Sequence, residues 1–278
     1  MNIRYLPRIL YKNIEIADED KKIMVADKPQ GMPAQPDESG DPDIISLLEE
    51  RRGIEENKPG KGFVSAVNRL DRPTGGLMLF AKNSDTHAKL QNMLHNHEIK
   101  KTYFCVVIGE VKNKEGHLVS YIKTYPNGKR DLSPATETNV ETAILDYKVL
   151  DVQEGLSLLE INLITGKKHQ IRIQMAKVLK HPILGDFRYG QQMSNNKRIK
   201  LHLWAVKLCF IHPYDAYKKL VFISPPPVKE PAWNLFKIQE KYLAINVEHY
   251  MNGKNRLMYL QEYLDGSRPM EYIDETDE

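Results

Sequence analysis

Asp71 is the acidic residue whose neighbours point most directly to chemistry. It stands between Arg69 and Arg72 in the segment VNRLDRPTGGLMLFAKN, residues 67–83, on a turn that leads into an apolar strand. Nearby positive charge favours an ionised carboxylate, and loops held by a rigid strand are where catalytic groups concentrate. The segment predicts a carboxylate that acts as a nucleophile or base. A structural aspartate that caps the turn and pairs with an arginine explains the same residues.

A second segment whose residues could have a chemical function covers residues 165–190, TGKKHQIRIQMAKVLKHPILGDFRYG. It opens with a bend at residues 165–166 before a predicted helix, and the unpaired N–H groups at a helix start bind anions. The basic side chains that would complete this phosphate site are Lys167, Lys168 and His169. Arg172 lies on the same helical face as His169, away from the apolar stripe, where it either meets a ligand or is simply solvated. Asp186 is interpreted as part of the closing turn.

A third segment, KKTYFCVVIGEV at residues 100–111, is predicted to contain a strand. Its alternation puts one set of side chains on one face, namely Tyr103, Cys105 and Val107, and a second set on the other, namely Thr102, Phe104, Val106 and Ile108. A tyrosine at the polar end of a strand can stack on a base or ring. Most such tyrosines are core residues with a satisfied hydroxyl, so both interpretations of Tyr103 stay open.

Composition restricts the class of protein. The 278 residues are 41% hydrophobic and 28% charged, which is typical of a globular chain that can bury a substantial core. The two cysteines, Cys105 and Cys209, show no CxxC spacing, so neither a disulfide framework nor a structural zinc site is expected. Apolar runs are too short for a membrane helix, and the first residues do not resemble a signal peptide. A cytoplasmic protein is therefore expected.

Charge is unevenly distributed although the whole chain carries only +3. Between residues 165 and 222 there are twelve Lys or Arg against Asp186 and Asp215, whereas residues 261–278 are strongly acidic. A basic block of this kind is either a solvated surface or a face that binds a polyanion such as RNA. Charge alone does not choose between the two.

Hydrophobic patterns predict the elements that must position these residues. Strands are expected at residues 23–26, 77–81, 102–108, 156–164 and 201–211. Helices are expected at residues 44–52, at residues 84–97 with Ser84 as N-cap and apolar positions 90, 93, 94 and 97, and at residues 169–179 with apolar positions 171, 175, 178 and 179. Strands and helices do not alternate regularly, so the predicted class is α+β with a mixed, largely antiparallel sheet flanked by helices.

Three regions are predicted along the chain: an N-terminal extension at 1–22, a catalytic domain at 23–230 and a C-terminal tail at 231–278. The proline run at 225–227 is expected to mark the end of the core. In the tail, Leu257, Leu260, Tyr263 and Leu264 predict one helix before an acidic end.

Several other chemistries lack their sequence motifs. The chain has no GxGxxG or GxxxxGK[ST] loop, no GxSxG elbow and no HExxH, and its nine histidines lack metal-ligand spacing. Neither a metal nor an organic cofactor is expected.

Six ordered blocks together resemble the RluA-type pseudouridine synthases. They are KPQGMP, NRLDRPTGGLMLFAK, KKTYFCVVIGEV, TGKKHQIRIQMA, HPILGDFRYG and LHLWAVKLCFIHP, and they span about residues 23–228. The resemblance implies the pseudouridine synthase fold and a cofactor-free isomerase that converts uridine in ribosomal or transfer RNA to pseudouridine. It also implies a monomer that flips its target base into a cleft.

The resemblance also implies roles for individual residues. Asp71 matches the catalytic aspartate and Arg172 the basic residue that pairs with it. Tyr103 matches the tyrosine that stacks on the target base and that could also assist removal of the proton from C5. RNA contacts are expected from residues beside these, namely Arg69, Arg72, Lys167, Lys168, His169 and Gln170.

The sequence departs from the family pattern at three positions. Asn68 stands where His is usual, Gly75 where Ser is common and Gln174 where His is frequent. Only about twenty residues precede the first matched block, so the S4-type RNA-binding module of many relatives is expected to be absent, and the catalytic domain would grip RNA itself.

Two other hypotheses remain. The three departures are compatible with a catalytically silent RNA-binding protein of the same fold. Alternatively, the turn at residues 165–169 could serve an enzyme that acts on a small phosphate-bearing molecule.

Overall fold

The computed structural model describes residues 9–57, 62–190, 199–227 and 230–238. Its strands are β1 (Ile9–Tyr11), β2 (Ile14–Glu19), β3 (Ile23–Lys28), β4 (Ser65–Ala66), β5 (Gly75–Ala81), β6 (Lys100–Ile108), β7 (Glu115–Thr124), β8 (Arg130–Leu132), β9 (Val140–Gln153), β10 (Leu156–Leu163), β11 (Leu203–His212) and β12 (Asp215–Ile223). Its helices are α1 (Ile44–Glu55), α2 (Ser84–His95), α3 (Gln170–Ile173), which continues as a π-helical turn at Gln174–Val178, and α4 (Pro231–Leu235). Within these ranges no helix is long and apolar enough to cross a membrane.

All of these strands belong to one sheet. Ten follow the order β1-β2-β3-β5-β11-β6-β10-β9-β7-β8, while β12 pairs with β11 and β4 with β5. Every pairing is antiparallel except that of β5 with β11, where Gly75 lies opposite Trp204. The predicted α+β class with a mixed, largely antiparallel sheet is confirmed.

The centre of the sheet is built from strands that are apolar on both faces. Every residue of β5, GGLMLFA, is buried, which explains why its sequence is a continuous apolar run rather than an alternation. In β6, Tyr103, Cys105 and Val107 enter one core cluster and Phe104 and Val106 enter another, as the alternation predicts.

Helices cover both faces of this sheet. α1 buries Ile44 and Leu48 in the cluster that contains Tyr103, and α2 buries Leu90 in a cluster on the opposite side. Met93 and Leu94 pack against that second cluster, but the predicted apolar role of His97 is wrong. His97 is exposed, lies beyond the end of α2 and has a φ of 59°.

The N-cap of α2 is also one residue earlier than predicted. The side-chain oxygen of Asn83 accepts a hydrogen bond from the backbone N–H of Thr86, and Ser84 is the first helical residue. Asn and Ser cap helices about equally well, so the pattern alone could not separate the two.

The predicted helix at residues 169–179 is short and irregular. Ile171 and Met175 are buried as predicted, but Ile173 and Gln174 are fully buried as well. The segment is therefore enclosed on several sides, and Arg172 is only 6% exposed, so the interpretation of Arg172 as an ordinary solvated side chain is wrong.

The core continues beyond both predicted ends. β1 and β2, within the predicted N-terminal extension, pair with the main sheet through β3. Trp233 and Phe236 are buried in a cluster with Phe104, so the expectation that the core stops at residues 225–227 is wrong. The helix predicted around residues 257–264 and the acidic end lie outside the described residues.

Candidate active site

Asp71 and Arg172 meet at one end of the central strands. Asp71 lies in the turn before β5, and its backbone oxygen accepts a hydrogen bond from the N–H of Thr74. Arg172 comes from α3, and its Nη1 lies 3.3 Å from Asp71 Oδ2. The Asp71 side chain is 20% exposed whereas that of Arg172 is 7% exposed. The result is an accessible carboxylate fixed by a buried guanidinium.

Asp186 fixes the guanidinium in turn. Its two carboxylate oxygens accept hydrogen bonds from Nε and Nη2 of Arg172, each at 2.8 Å, and one of them also accepts from the N–H groups of Arg188 and Tyr189. This two-point geometry leaves Nη1 for Asp71. Burial by itself would lower the pKa of Arg172, but the two carboxylates outweigh it and raise that pKa. The sequence pattern around Asp186 indicates only a turn, and nothing in it indicates this contact.

His169 approaches the other oxygen of Asp71. Its Nε2 lies 3.8 Å from Asp71 Oδ1, and its Nδ1 is 2.7 Å from the hydroxyl of Tyr189. Burial first, and then the positive charges of Arg172, Arg188 and Lys168, lower the pKa of His169 to about 4 against the opposing effect of Asp71. His169 is therefore a neutral imidazole near pH 7, and Arg172 is the permanent cation beside Asp71.

Tyr103 forms a buried part of the same region. It lies on β6, is 5% exposed and belongs to the core cluster beneath the site. Burial raises the pKa of its phenol, and the negative charge of Asp71 raises it further. The phenol therefore stays protonated at neutral pH.

Lys28 supports the turn that carries Asp71, a role that sequence analysis missed. It ends the buried strand β3 with no exposed surface, and its Nζ donates to the backbone oxygens of Pro29, Met32 and Arg72 at 2.9, 2.7 and 3.1 Å. Burial lowers the pKa of Lys28 to about 7, with Asp71 opposing and Arg72 adding to the effect. A lysine that ends an otherwise buried strand was the available sequence signal.

The buried amine predicts a pH-dependent stability. In the unfolded chain Lys28 titrates near its ordinary value of 10.5, so between about pH 7 and 10.5 the unfolded state binds more protons than the folded state. The unfolding free energy of the wild type should therefore rise with pH relative to that of Lys28→Met. Urea unfolding of both proteins at about pH 7 and about pH 9 measures the difference. A difference that stays constant or falls would contradict the prediction.

Arg69 and Arg72 do not contact Asp71, contrary to the expectation from their adjacency. Arg69 donates to Gln35, while Arg72 pairs with Asp37 and Asp41 in the loop before α1. Side chains on consecutive positions of an irregular turn diverge, and this acidic loop provides the nearer partners. The cation that holds Asp71 comes instead from α3, 101 positions along the chain.

The residues of the predicted phosphate site also differ from expectation. Lys167 lies 3.4 Å from Glu141, and Lys168 is exposed. Gln170 is 2% exposed, and its amide is occupied by Thr165, by the N–H of Lys167 and by the backbone oxygen of Ile144. Gln170 is thus buried with its amide hydrogen-bonded inside the protein, and a direct RNA contact by Gln170 stays a prediction.

Two of the departures from the family pattern are structural. The side-chain oxygen of Asn68 accepts a hydrogen bond from the N–H of Leu79. The Gln174 amide donates to the backbone oxygens of Leu118 and Ala143. Both side chains tie neighbouring elements together without contact to Asp71.

Gly75 is explained by close packing. A Cβ at this position would lie 2.2 Å from Cζ3 of Trp204 on the parallel neighbour β11. Gly75→Ser should therefore lower the free energy of unfolding by about 1–3 kcal/mol through overpacking. Urea unfolding measures this change.

Gly166→Ser provides the matched control for Gly75→Ser, since a Cβ there meets only Lys101 Nζ at 3.5 Å and should change stability by less than about 0.5 kcal/mol. Equal effects of the two substitutions would show that the Trp204 contact does not decide the residue at position 75.

The arrangement can perform nucleophilic or general-base chemistry with a carboxylate. Asp71 is partly exposed, one of its oxygens is held by Arg172, and the buried Tyr103 is near enough for the charge of Asp71 to raise the pKa of its phenol. Within the described ranges, no three His, Cys, Asp or Glu side chains converge as metal ligands would.

Comparison with known families and proteins gives one consistent answer. A family model described as RNA pseudouridylate synthase matches residues 22–177. A Bacillus subtilis protein named as an uncharacterized RNA pseudouridine synthase is 33% identical over 208 residues, which are 73% of this chain and 66% of the relative. Ribosomal large subunit pseudouridine synthase D of Zymomonas mobilis is 28% identical over 77% of this chain and 69% of its own length. tRNA pseudouridine synthase C of Vibrio cholerae is 29% identical over 83% of this chain and 98% of its own length.

The chain spans slightly less than two thirds of the length of the Bacillus relative. Among solved structures, human RNA pseudouridylate synthase domain containing 4 superposes with a TM-score of 0.65 at 24% identity, over 81% of this chain and 92% of that one. At this identity the likeness concerns the fold.

Proposed function

Because the chain belongs to the RNA pseudouridylate synthase family, we propose that it isomerises uridine in RNA to pseudouridine. In this reaction the bond between C1′ of the ribose and N1 of the base breaks, a bond between C1′ and C5 forms, and the proton on C5 is replaced by one on N1. No net oxidation or reduction occurs, so the reaction itself calls for no redox cofactor.

The observation that carries the proposal is the 3.3 Å contact between the accessible Asp71 carboxylate and the buried Arg172 guanidinium. A carboxylate that is held in place and open to solvent on one side can attack an electron-poor centre of the substrate. Asp71 is accordingly the proposed catalytic residue. Arg172 is the proposed residue that orients it.

Tyr103 is proposed as the aromatic surface for the target base. Because the pKa of its phenol is raised, a phenolate base at neutral pH is disfavoured, and contact through the ring is favoured over removal of the C5 proton. A uridine that is stacked in a helix could not reach Asp71, so the target base must be flipped out or lie in a single-stranded loop.

Ribosomal RNA and transfer RNA are the proposed substrate classes. The Zymomonas mobilis relative is named for ribosomal RNA and the Vibrio cholerae relative for tRNA. The decisive experiment is site-resolved mapping of pseudouridine in unmodified transcripts of ribosomal RNA and of tRNAs after incubation with the protein. Conversion at one or a few uridines is expected, and a preparation without the protein serves as control. Absence of pseudouridine from every transcript, with RNA binding retained, would instead support the catalytically silent RNA-binding protein.

A further inference from the structure

A basic cavity lies next to the Asp71 site. It has a volume of about 520 Å³ and is bounded by the turn between β7 and β8, by the end of the π-helical turn and by the turn that follows Asp186. Its lining consists of Asn127, Gly128, Lys129, Arg130, Asp131, Lys177, Arg188 and Tyr189. Four of these side chains are cationic and one is anionic, so the lining carries a net positive charge.

Asp131 organises two of the cations. Its carboxylate contacts Lys177 Nζ at 2.5 Å and Lys129 Nζ at 3.1 Å. Burial opposes ionisation, but the hydrogen bonds from Lys177, from Lys129 and from the N–H of Leu132 together lower the pKa of Asp131. An ammonium has three donors, so each lysine keeps donors for another acceptor after its contact with Asp131. Two converging lysines that share one carboxylate leave a net positive charge for a further anion.

Arg188 adds a cation that forms no ion pair with the residues that the structure describes. Its residue is exposed, and the part of the chain that the structure describes contains no carboxylate oxygen within 4.0 Å of it. Arg130 differs, because Glu141 pairs with it and its side chain is only 10% exposed. Lys129, Lys177 and Arg188 are therefore the cavity's available anion-binding groups.

Tyr189 connects the cavity to the reaction site. It lines the cavity, its hydroxyl contacts His169, and its ring lies 5.3 Å from Cζ of Arg172. A polymer whose base lies at Asp71 could therefore place one of its own anionic groups in the cavity. Five of the eight lining residues belong to the segment 127–131, which is outside the basic block at residues 165–222 that the sequence draws attention to.

We propose that this cavity binds a backbone phosphate of the RNA substrate next to the target nucleotide, through Lys129, Lys177 and Arg188. The proposal rests on the proposed function for the identity of the polymer. Its occupant is a phosphodiester of RNA, because the cavity combines cationic lining, continuity with the Asp71 site and side chains suited to phosphate.

The test measures binding of a fluorescein-labelled oligouridylate by the full chain at salt concentrations from about 50 to 200 mM. Each of the variants Lys129→Gln, Lys177→Gln and Arg188→Gln should weaken binding. Because the three side chains share one phosphodiester, and each phosphate neutralised in a single strand contributes about 0.7 to the slope of log affinity against log salt, the triple variant should lose about 0.7 of that slope. Lys21→Gln is the matched control, since this exposed lysine lies between β2 and β3, at the other end of the sheet order from β7 and β8 and outside the basic block at residues 165–222, and should leave the slope unchanged.

Three outcomes would overturn the proposal. The first is a triple variant with the same slope as Lys21→Gln, and the second is a wild type that does not bind the oligouridylate. The third is a labelled oligouridylate that uridine monophosphate displaces as effectively as unlabelled oligouridylate does, which would indicate a small-molecule site. Thermal unfolding of each variant checks that it folds, and Arg188→Gln alone removes no ion pair in the described structure.

The result is separable from the proposed function, because binding needs no catalysis. Pseudouridine formation with an unchanged slope would refute the cavity assignment alone. A reduced slope without pseudouridine in any transcript would refute the isomerase and keep the RNA-phosphate site.

Discussion

Asp71→Asn should remove uridine isomerisation while leaving RNA binding and folding nearly unchanged. The substitution keeps the shape of the side chain but removes the charge and nucleophilicity of the carboxylate. Loss of a residue that takes part directly in bond rearrangement lowers kcat on the order of 10⁴-fold or more. The measurement is the single-turnover rate of pseudouridine formation on a transcript that the wild type modifies.

Stability should change little because Arg172 keeps its second partner. Both Nε and Nη2 of the guanidinium donate to Asp186, so neutralising Asp71 does not leave the buried cation without a counter-ion. The Asp71 side chain is also partly exposed. We therefore expect the free energy of unfolding to change by less than about 1 kcal/mol.

Asp41→Asn is the matched control. Asp41 also pairs with an arginine, Arg72, close to the reaction site, but it belongs to the loop before α1 and has no contact with Asp71. It should retain nearly wild-type activity. If Asp71→Asn kept a rate within about tenfold of the wild type, or if Asp41→Asn lost as much, the catalytic role of Asp71 would be wrong.

The sequence predicted the strands that surround the site better than the contacts within it. Continuous apolar runs and alternation located β3, β5, β6, β10 and β11, because burial imposes these patterns directly. β7, β8 and β9 were not predicted, although residues 143–149 of β9 alternate between buried and less buried positions as a strand requires. The cavity next to Asp71 was therefore invisible at that level, because the turn between β7 and β8 forms one of its walls.

Contacts that join distant parts of the chain could not be read from local patterns. Physical reasoning from the sequence paired Asp71 with its neighbours Arg69 and Arg72, and only the family resemblance indicated Arg172. The pairing of Gly75 with Trp204 depends on the one parallel strand pair in the described sheet. The contact between Arg172 and Asp186 likewise depends on how α3 packs against a turn fourteen residues later.

Arg172→Met should cost both activity and stability, for separable reasons. The side chain of Asp186 is 1% exposed, so removing Arg172 leaves a buried carboxylate without its charged partner. Breaking a buried pair in this way destabilises proteins by about 3–5 kcal/mol. Asp71 would also lose the donor that orients it, so kcat should fall even at temperatures where the variant is fully folded. Urea unfolding and single-turnover rates measure the two effects.

The double variant Arg172→Met with Asp186→Asn separates orientation of Asp71 from structural support. The amide introduced by Asp186→Asn brings no buried charge, and its oxygen could still accept from the N–H groups of Arg188 and Tyr189, as the carboxylate does. We expect the double variant to recover much of the lost unfolding free energy and none of the lost rate. Arg172→Lys should also be slow, because the three donors of an ammonium radiate from one nitrogen and cannot reproduce the planar fork that joins Asp186 at two points and Asp71 at a third. Recovery of activity in the double variant would mean that Arg172 acts only through stability, whereas recovery of stability alone would place its function at Asp71.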